Sequence, residues 1–148
     1  MEVFLAGIIQ GSLTEATIHD QDWRGPIRDA LATHCARASV YCHFEANPDS
    51  IRYDDARMIA TLTEGNRRAA ASDVVVCWLP EASMGTAIEM YLAAQAGAVV
   101  LTISPMTANW VIRAYSDRIF PDIAAFEALL AGGELEGLLA RKRAGHGP

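Results

Sequence analysis

One glutamate stands out because of the residues that precede it. Glu89 follows Ser83 and Gly85 by six and four positions, in the stretch PEASMGTAIEM, just after an apolar run. A Ser-x-Gly turn that opens a helix offers backbone amides to an anion, and a carboxylate one turn further in would reach the atom next to that anion. Serine is also a common helix cap, and acids are favoured near helix starts, so the same pattern suits a purely structural turn.

Strands and helices alternate along the chain, and their order predicts how Glu89 is held. Apolar and β-branched runs predict strands at residues 1–9, 39–44, 73–79, 99–104 and 118–120. Helical patterns lie between and after them, at about 23–35, 51–71 with a break near Gly65, 85–97, 109–117, 122–131 and 134–143. This alternation predicts an α/β fold for residues 1–148: a single doubly wound, flavodoxin-like three-layer sandwich with a mainly parallel five-stranded sheet.

The loops that follow parallel strands lie together at one edge of the sheet, and ligands bind there. Four loops are expected to meet at this edge, at residues 8–20, 44–52, 80–87 and 104–110. Their polar residues, or those next to them, are Gln10, Ser12, His43, Glu45, Ser83, Glu89 and Asn109. The sequence therefore predicts a small-molecule site at this edge.

Composition narrows the kind of ligand. The net charge is −6 and the only basic cluster lies at 141–143, so no nucleic-acid partner is expected. No apolar run is long enough to span a bilayer and no signal peptide is recognisable, so no membrane partner is expected. Three scattered cysteines, at 35, 42 and 77, fit free thiols in the cytoplasm and lack zinc-site spacing. No dinucleotide or ATP loop is present, so neither a metal nor a cofactor is expected.

Two stretches resemble a known family. FLAGIIQGS, residues 4–12, resembles the strand and Gly-x-Ile-x-Gly loop that open the nucleoside 2-deoxyribosyltransferases and the related nucleotide N-glycosidases. SDVVVCWLPEASMGTAIEM, residues 72–90, resembles their signature, in which Ser-x-Gly precedes a glutamate nucleophile with this spacing. The resemblance runs from Val3 to about Arg113. It implies cleavage or transfer of the base–sugar bond of a (deoxy)nucleoside or its 5′-monophosphate, through a covalent intermediate on Glu89.

The resemblance also implies roles for residues around the nucleophile. The substrate-binding positions are Gly7, Ile9, Gln10, Gly11, His43, Ser83, Gly85 and Asn109. His43 falls where relatives place a base-pocket residue, although a rim histidine without such a role is an equal interpretation. Asn109 aligns with a position that reaches into the neighbouring subunit's site in relatives, which implies a homodimer or higher homo-oligomer. The alternative for Asn109 is a helix cap.

The sequence departs from the family pattern at the residue that would protonate the leaving base. Relatives commonly carry an aspartate, often in Asp-x-Asn, in the helix before the third strand. The nearest match here is Glu64-Gly65-Asn66, one residue out of register. Glu64 is therefore the candidate catalytic acid, with a solvated helix charge as its other interpretation and Asp54 as its rival.

A second departure concerns phosphate recognition. Nucleotide-cleaving relatives carry an arginine where this sequence has Gln10, which offers neither charge nor a bidentate fork. Arg24 and Arg113 are other cations that could hold a phosphate, so the choice between nucleoside and monophosphate stays open. Trp23 and Trp110 are each expected to pack rather than to stack on a base.

Two further interpretations remain open. The chain could be a nucleotide-binding or sensor domain of the same fold that lacks catalysis, which the departures at Gln10 and Glu64 favour. It could also be an unrelated flavodoxin-like domain with an accidental motif, since fold does not determine function.

Overall fold

The computed structural model describes residues 1–145, and this part of the chain contains one sheet of five strands. The strands are β1 (Glu2–Gly7), β2 (Ser39–Cys42), β3 (Val74–Trp78), β4 (Val99–Ile103) and β5 (Arg118–Phe120). The helices are α1 (Arg24–His34), α2 (His43–Ala46), α3 (Asp55–Ala71), α4 (Met84–Gln95), α5 (Trp110–Tyr115), α6 (Ile123–Ala131) and α7 (Glu134–Gly145). A short 3₁₀ turn at Ser50–Arg52 precedes α3.

The sheet has the strand order β2-β1-β3-β4-β5, and every neighbouring pair is parallel. β1 lies between β2 and β3, with Phe4 opposite Tyr41 on one side and Val75 on the other. From β1 the chain continues to β2 on one side, and from β3 it continues to β4 on the other side. The loops after β1 and β3 therefore start at the same edge of the sheet and run in opposite directions. This is the edge at which doubly wound sheets bind ligands.

Alternate residues of the strands face two separate apolar cores, which makes the fold a three-layer sandwich. One core joins Val3, Leu5, Val74 and Val76 to residues of α1, α6 and α7. The other joins Phe4, Val75 and Val100 to residues of α3, α4 and α5. The flavodoxin-like fold class is therefore confirmed.

The ends of several predicted elements differ from the structure, and the differences at β2 and α3 have identifiable causes. β2 stops at Cys42 instead of continuing through residue 44, because the chain turns into α2 at His43. The amide of Asn47 closes this turn on the carbonyl of Phe44, and the Asn47 side chain donates to the carbonyl of His43. The helix predicted at 51–71 begins only at Asp55, where the Asp54 side chain caps it, and it continues unbroken past Gly65.

Within residues 1–145, no helix has both the length and the apolar character needed to cross a membrane. The three cysteines are free thiols, two of them buried.

Candidate active site

A cavity of about 360 Å³ lies beyond the carboxyl ends of β1, β2 and β3. Its walls come from the segments that follow these three strands and from the first half of α3. The lining residues are Ile9, Gln10, Gly11, Ala16, His43, Ser50, Ile51, Tyr53, Met58, Thr61, Leu62, Ser83, Met84, Gly85, Thr86 and Glu89. The cavity thus unites most of the positions that the sequence predicted.

Glu89 is the acidic group of this cavity and is almost completely buried. It lies in the second turn of α4 and is 8% exposed. Within residues 1–145 its carboxyl group forms neither a hydrogen bond nor an ion pair. Burial raises the pKa of Glu89 from its ordinary 4.5 to about 8, and the charge of Arg24 opposes this rise only in part. The carboxyl group therefore holds a proton at neutral pH in the free protein.

The start of α4 forms one wall of the cavity. The Ser83 hydroxyl caps the helix by accepting from the Thr86 amide at 3.4 Å, and it also accepts from the Thr86 hydroxyl at 3.1 Å. Gly85 has open space where a side chain would stand. The first turn of α4 therefore presents backbone to the cavity, as an anion-binding helix start does, while Ser83 also serves the structural capping role.

His43 lies at the start of α2 and lines the same cavity as Glu89. Its Nδ1 atom is buried and has no hydrogen-bond partner within the described chain. Burial, followed by the charge of Arg24, lowers the pKa of His43 below its ordinary 6.5. His43 is therefore a neutral imidazole at pH 7.

Gly65 explains how α3 can pack close to His43 and Glu89. A methyl group at position 65 would lie 2.8 Å from His43 Nδ1 and 3.7 Å from Glu89 Oε1. The helix face that carries Gly65 is therefore in contact with the imidazole, and any larger residue would displace it. Gly65 lies inside a continuous helix and does not break it. Its role is to leave space for the imidazole.

Arg24 is a buried cation behind the cavity that sequence reasoning considered only as a phosphate ligand. It is 5% exposed, and its guanidinium donates to Cys42 Sγ at 3.1 Å and to Gln21 Oε1 at 2.9 Å. The same group lies 4.1 Å from the centroid of the Trp23 ring. It does not line the cavity. The charge of Arg24 therefore acts on His43 and Glu89 from behind the cavity wall. No sequence pattern indicates that Arg24 is buried.

The loop after β1 forms the opposite wall. Gly11 adopts a left-handed conformation at φ 57°, which a residue with a side chain rarely adopts. Gln10 lines the cavity and donates from Nε2 to the Glu15 carbonyl at 3.3 Å. His19 ties this loop to the loop after β3 through a 3.3 Å contact with Glu81. Among the described residues, no lysine or arginine lines the cavity.

The structure does not bring Glu64 to the cavity. Glu64 lies on the outer face of α3, where its carboxylate accepts from Arg67 at 2.8 Å and from Arg68 at 2.7 Å. These hydrogen bonds lower the pKa of Glu64 to about 2. Such a carboxylate holds no proton to donate near neutral pH. The geometry therefore favours the interpretation of Glu64 as a solvated charge on the helix surface. The rival Asp54 is engaged as the cap of α3.

Three other expected residues serve structural contacts. A methyl group on Gly7 would lie 2.4 Å from the Trp23 ring, so this glycine makes room for packing and does not line the cavity. Asn109 caps α5 by accepting from the amides of Val111 and Ile112. Trp23 packs, as expected, against Trp78. Trp110 is 85% exposed and does not pack against the described part of the chain, contrary to expectation.

Asn109 lines a smaller neighbouring cavity of about 160 Å³. Ser83 and Met84 line both cavities, so the two are adjacent. Asn109 therefore lies next to the Glu89 cavity without entering it.

Comparison of the sequence with protein-family models and with curated proteins gives no match. Solved structures do share the fold. A 2-deoxyribosyltransferase from Bacillus psychrosaccharolyticus superimposes with a TM-score of 0.65 at 15% identity, over 88% of this chain and 96% of the other. A conserved protein from Enterococcus faecalis V583 gives 0.62 at 17% identity, over 89% and 98%. The CMP N-glycosidase BcmB from Clostridium botulinum gives 0.53 at 15% identity, over 88% and 98%. The fold is thus the one that the sequence resemblance implied.

Proposed function

We propose that this protein cleaves or transfers the N-glycosidic bond of a (deoxy)nucleoside or its 5′-monophosphate, with Glu89 as the nucleophile. The observation that supports this most is the buried Glu89 carboxyl group, which lines the cavity from the second turn of a helix capped by Ser83. The fold shared with a 2-deoxyribosyltransferase and a CMP N-glycosidase supports this type of chemistry.

The first step forms a covalent glycosyl-enzyme. An oxygen of the ionised Glu89 bonds to C1′ of the sugar, the C1′–N bond breaks, and its electron pair leaves with the base, which takes up a proton. In the second step, water attacks C1′ and gives up one proton while the ester bond breaks and its electron pair returns to Glu89. A second base in place of water gives transfer instead of hydrolysis. Two displacements at C1′ retain the configuration.

Burial of Glu89 favours this chemistry. The cavity gives the carboxylate little solvation, which is the reason for its raised pKa. The sugar becomes cationic at C1′ as the base departs, and a poorly solvated carboxylate then gains a strong electrostatic attraction. The interaction is therefore stronger in the transition state than in the ground state, which is the condition for rate acceleration.

The charges of the cavity bear on the choice between nucleoside and monophosphate. Since no cation from residues 1–145 lines it, a 5′-phosphate would rely on the amides at the start of α4. Arg24 is engaged behind the wall, and Arg113 lies on the exposed side of α5. We therefore infer weak discrimination in favour of a monophosphate, unless a second subunit supplies a cation.

A non-catalytic nucleotide-binding domain is the second candidate. The observation that favours it is the burial of Glu89, which raises the pKa of this carboxyl group to about 8, because a protonated carboxyl group can bind a ligand but cannot attack. The enzyme is favoured by the presence of Glu89 as the sole acidic residue among the described residues that line the site. Binding of nucleosides without release of free base would support the second candidate.

We also infer a homodimer or larger homo-oligomer in the cytoplasm. Exposed apolar side chains cluster on α4 and α5 beside the cavity, with Met84 82% and Trp110 85% exposed. Asn109 caps α5 next to this surface. If Asn109 serves the partner's site, mixing inactive Glu89→Ala and Asn109→Ala subunits should restore one intact site per dimer. Absence of recovered activity in a mixed dimer that is shown to form would contradict the shared site.

The decisive experiment is incubation with a panel of nucleosides and 5′-monophosphates, followed by chromatography for free base. Wild-type protein should release base, and Glu89→Gln should lose several powers of ten in rate because no other group can replace the nucleophile. Glu136→Gln, an equivalent change at an exposed position of α7, is the matched control and should leave the rate unchanged. A Glu89→Gln protein that keeps a tenth of the wild-type rate would rule out a nucleophilic role.

A further inference from the structure

The leaving base needs a proton, and few groups at the cavity can supply one. Among the lining residues that the structure describes, only His43, Tyr53 and Glu89 have ionisable side chains. The Tyr53 hydroxyl is oriented toward Asn47 Oδ1, at 3.5 Å. Glu89 is the proposed nucleophile. The remaining group is an imidazole, the side chain best suited to proton exchange near neutral pH.

The setting of His43 connects it to Glu89. Its Nδ1 atom is sealed from solvent and has no hydrogen-bond partner among residues 1–145, which is an unusual state for a buried polar atom. The point that a methyl group on Gly65 would occupy is close to both Nδ1 and Glu89 Oε1. The two side chains therefore border the same small space, and the other ring nitrogen remains for a ligand in the cavity that His43 lines.

We propose that His43 is the catalytic acid that protonates the leaving base, and that His43 and Glu89 act as a pair sharing one proton. This proposal rests on the proposed function and names a further catalytic residue of that site. It replaces Glu64, which lies on the outer face of α3, as the proton donor.

The step balances without any other reactant. The reactive pair is an imidazolium and a carboxylate, which together hold the same single proton as a neutral imidazole and a carboxylic acid. The carboxylate bonds to C1′, the C1′–N electron pair goes to the base, and the imidazolium N–H passes its proton to that base. In the second step, neutral His43 accepts the proton of the attacking water while the ester electron pair returns to Glu89. The pair is then restored with one proton.

The number of protons that His43 and Glu89 hold together predicts how the rate of base release depends on pH. Between the lowered pKa of His43 and the value of about 8 for Glu89, the pair holds one proton. Release of a base that needs protonation should be fastest in this interval and fall above about pH 8, where the pair loses its proton. A leaving group that needs no proton requires only ionised Glu89, so its release should instead rise through about pH 8.

The other charged and titratable groups around the pair belong to four elements, α1, β2, α2 and β3. Arg24 of α1 acts on both His43 and Glu89. The Cys77 thiol of β3 lies close enough for Glu89 to raise its pKa, after the larger effect of burial. Cys42, at the end of β2, and Glu45, in α2, act on Arg24. None of these groups lines the cavity, so none competes with His43 for the base.

The test compares two leaving groups in the full-length protein. One is the base of whichever nucleoside the panel identifies, and the other is 4-nitrophenolate, released without protonation from the matching 4-nitrophenyl glycoside. His43→Gln should slow base release by about 10²–10⁴-fold and 4-nitrophenol release by less than about threefold. The matched control is His34→Gln, on the far end of α1, which should affect neither substrate.

The outcomes separate this proposal from the proposed function. If wild-type protein releases neither base nor 4-nitrophenol, the proposed function is wrong. If release depends on Glu89 but His43→Gln slows both leaving groups equally, or if Glu64→Gln shows the selective loss, the assignment of His43 is overturned. Should His43→Gln not fold, wild-type pH profiles decide the matter. Opposite slopes above pH 8 for the two leaving groups support the pair, and parallel slopes refute it.

Discussion

Replacing Glu89 by glutamine is expected to stabilise the fold while it abolishes activity. In the native protein the pKa of Glu89 is raised from 4.5 to about 8, mainly by burial. Between these values the unfolded chain has lost the proton of this group while the native protein retains it. The native state then binds more protons than the unfolded state, so stability falls as pH rises through this interval. Glutamine cannot ionise and removes this loss.

The size of the effect follows from the two pKa values. Linkage gives a cost of roughly 3 kcal/mol at pH 7 and roughly 4 kcal/mol at pH 8, against less than about 1 kcal/mol at pH 5. The glutamine variant should therefore match the wild type near pH 4 and exceed it increasingly toward pH 8. For a protein of this size, about 3 kcal/mol corresponds to a rise in Tm of roughly 10 °C.

Urea unfolding at a series of pH values between 4 and 9 measures this difference directly. The control is Glu136→Gln, whose carboxyl group is exposed and which should keep the pH dependence of the wild type. A carbon-13 titration of the Glu89 carboxyl would give the native pKa independently. If the wild type and Glu89→Gln show parallel stability curves from pH 5 to pH 8, the buried carboxyl group does not have the environment described above.

Three further predictions concern Gly65 and Gln10 at the site and Trp110 on the exposed apolar surface of α4 and α5. Gly65→Ala should leave the free energy of unfolding within about 1 kcal/mol of wild type, because the higher helix propensity of alanine compensates the crowding. The same variant should lower the rate of base release about tenfold or more, because the added methyl group displaces His43. The control variant Gly137→Ala in α7 should not affect base release. Equal activity in both variants, measured by chromatography, would contradict the contact with His43. Gln10→Arg should raise kcat/KM for the monophosphate about tenfold to a hundredfold, by adding a charge-assisted contact, and leave the nucleoside nearly unchanged. Trp110→Glu should reduce the sedimentation coefficient to that of a monomer, and a wild type that is already monomeric and fully active at micromolar concentration would refute the oligomer.

The strands and most helices could be predicted because their signals are local. The run from Val74 to Cys77 is buried on both faces, so it reads as a continuous apolar stretch. The caps at Ser83 and Asp122 mark helix starts in the sequence as they do in the structure. The spacing that singled out Glu89 is also local, since one helix carries the capping serine and the glutamate.

Other features could not be predicted because individual side-chain contacts determine them. β2 ends at Cys42 although the next residues are apolar enough to extend it, since Asn47 closes a turn there. The burial of Arg24 depends on the Trp23 ring and on a thiol 18 positions away in the chain. Neither contact leaves a periodic pattern, and a buried arginine runs against the usual preference of the residue for the surface.

The geometry of an α-helix explains why Glu64 does not reach the cavity. One residue along an α-helix turns the side chain by about 100°, so neighbouring positions cannot share a face. Glu64 joins Arg67 and Arg68 on the exposed face, three and four residues on, as helical ion pairs do. Gly65 consequently faces inward, and the space that a side chain would fill there is bordered by His43 and Glu89. A carboxylate on α3 could serve the cavity only from the inward face, and at position 65 it would collide with the imidazole. The glycine on α3 and the histidine after β2 thus form one structural unit. If His43 is the proton donor, this unit explains why the helix needs no acid of its own at the cavity.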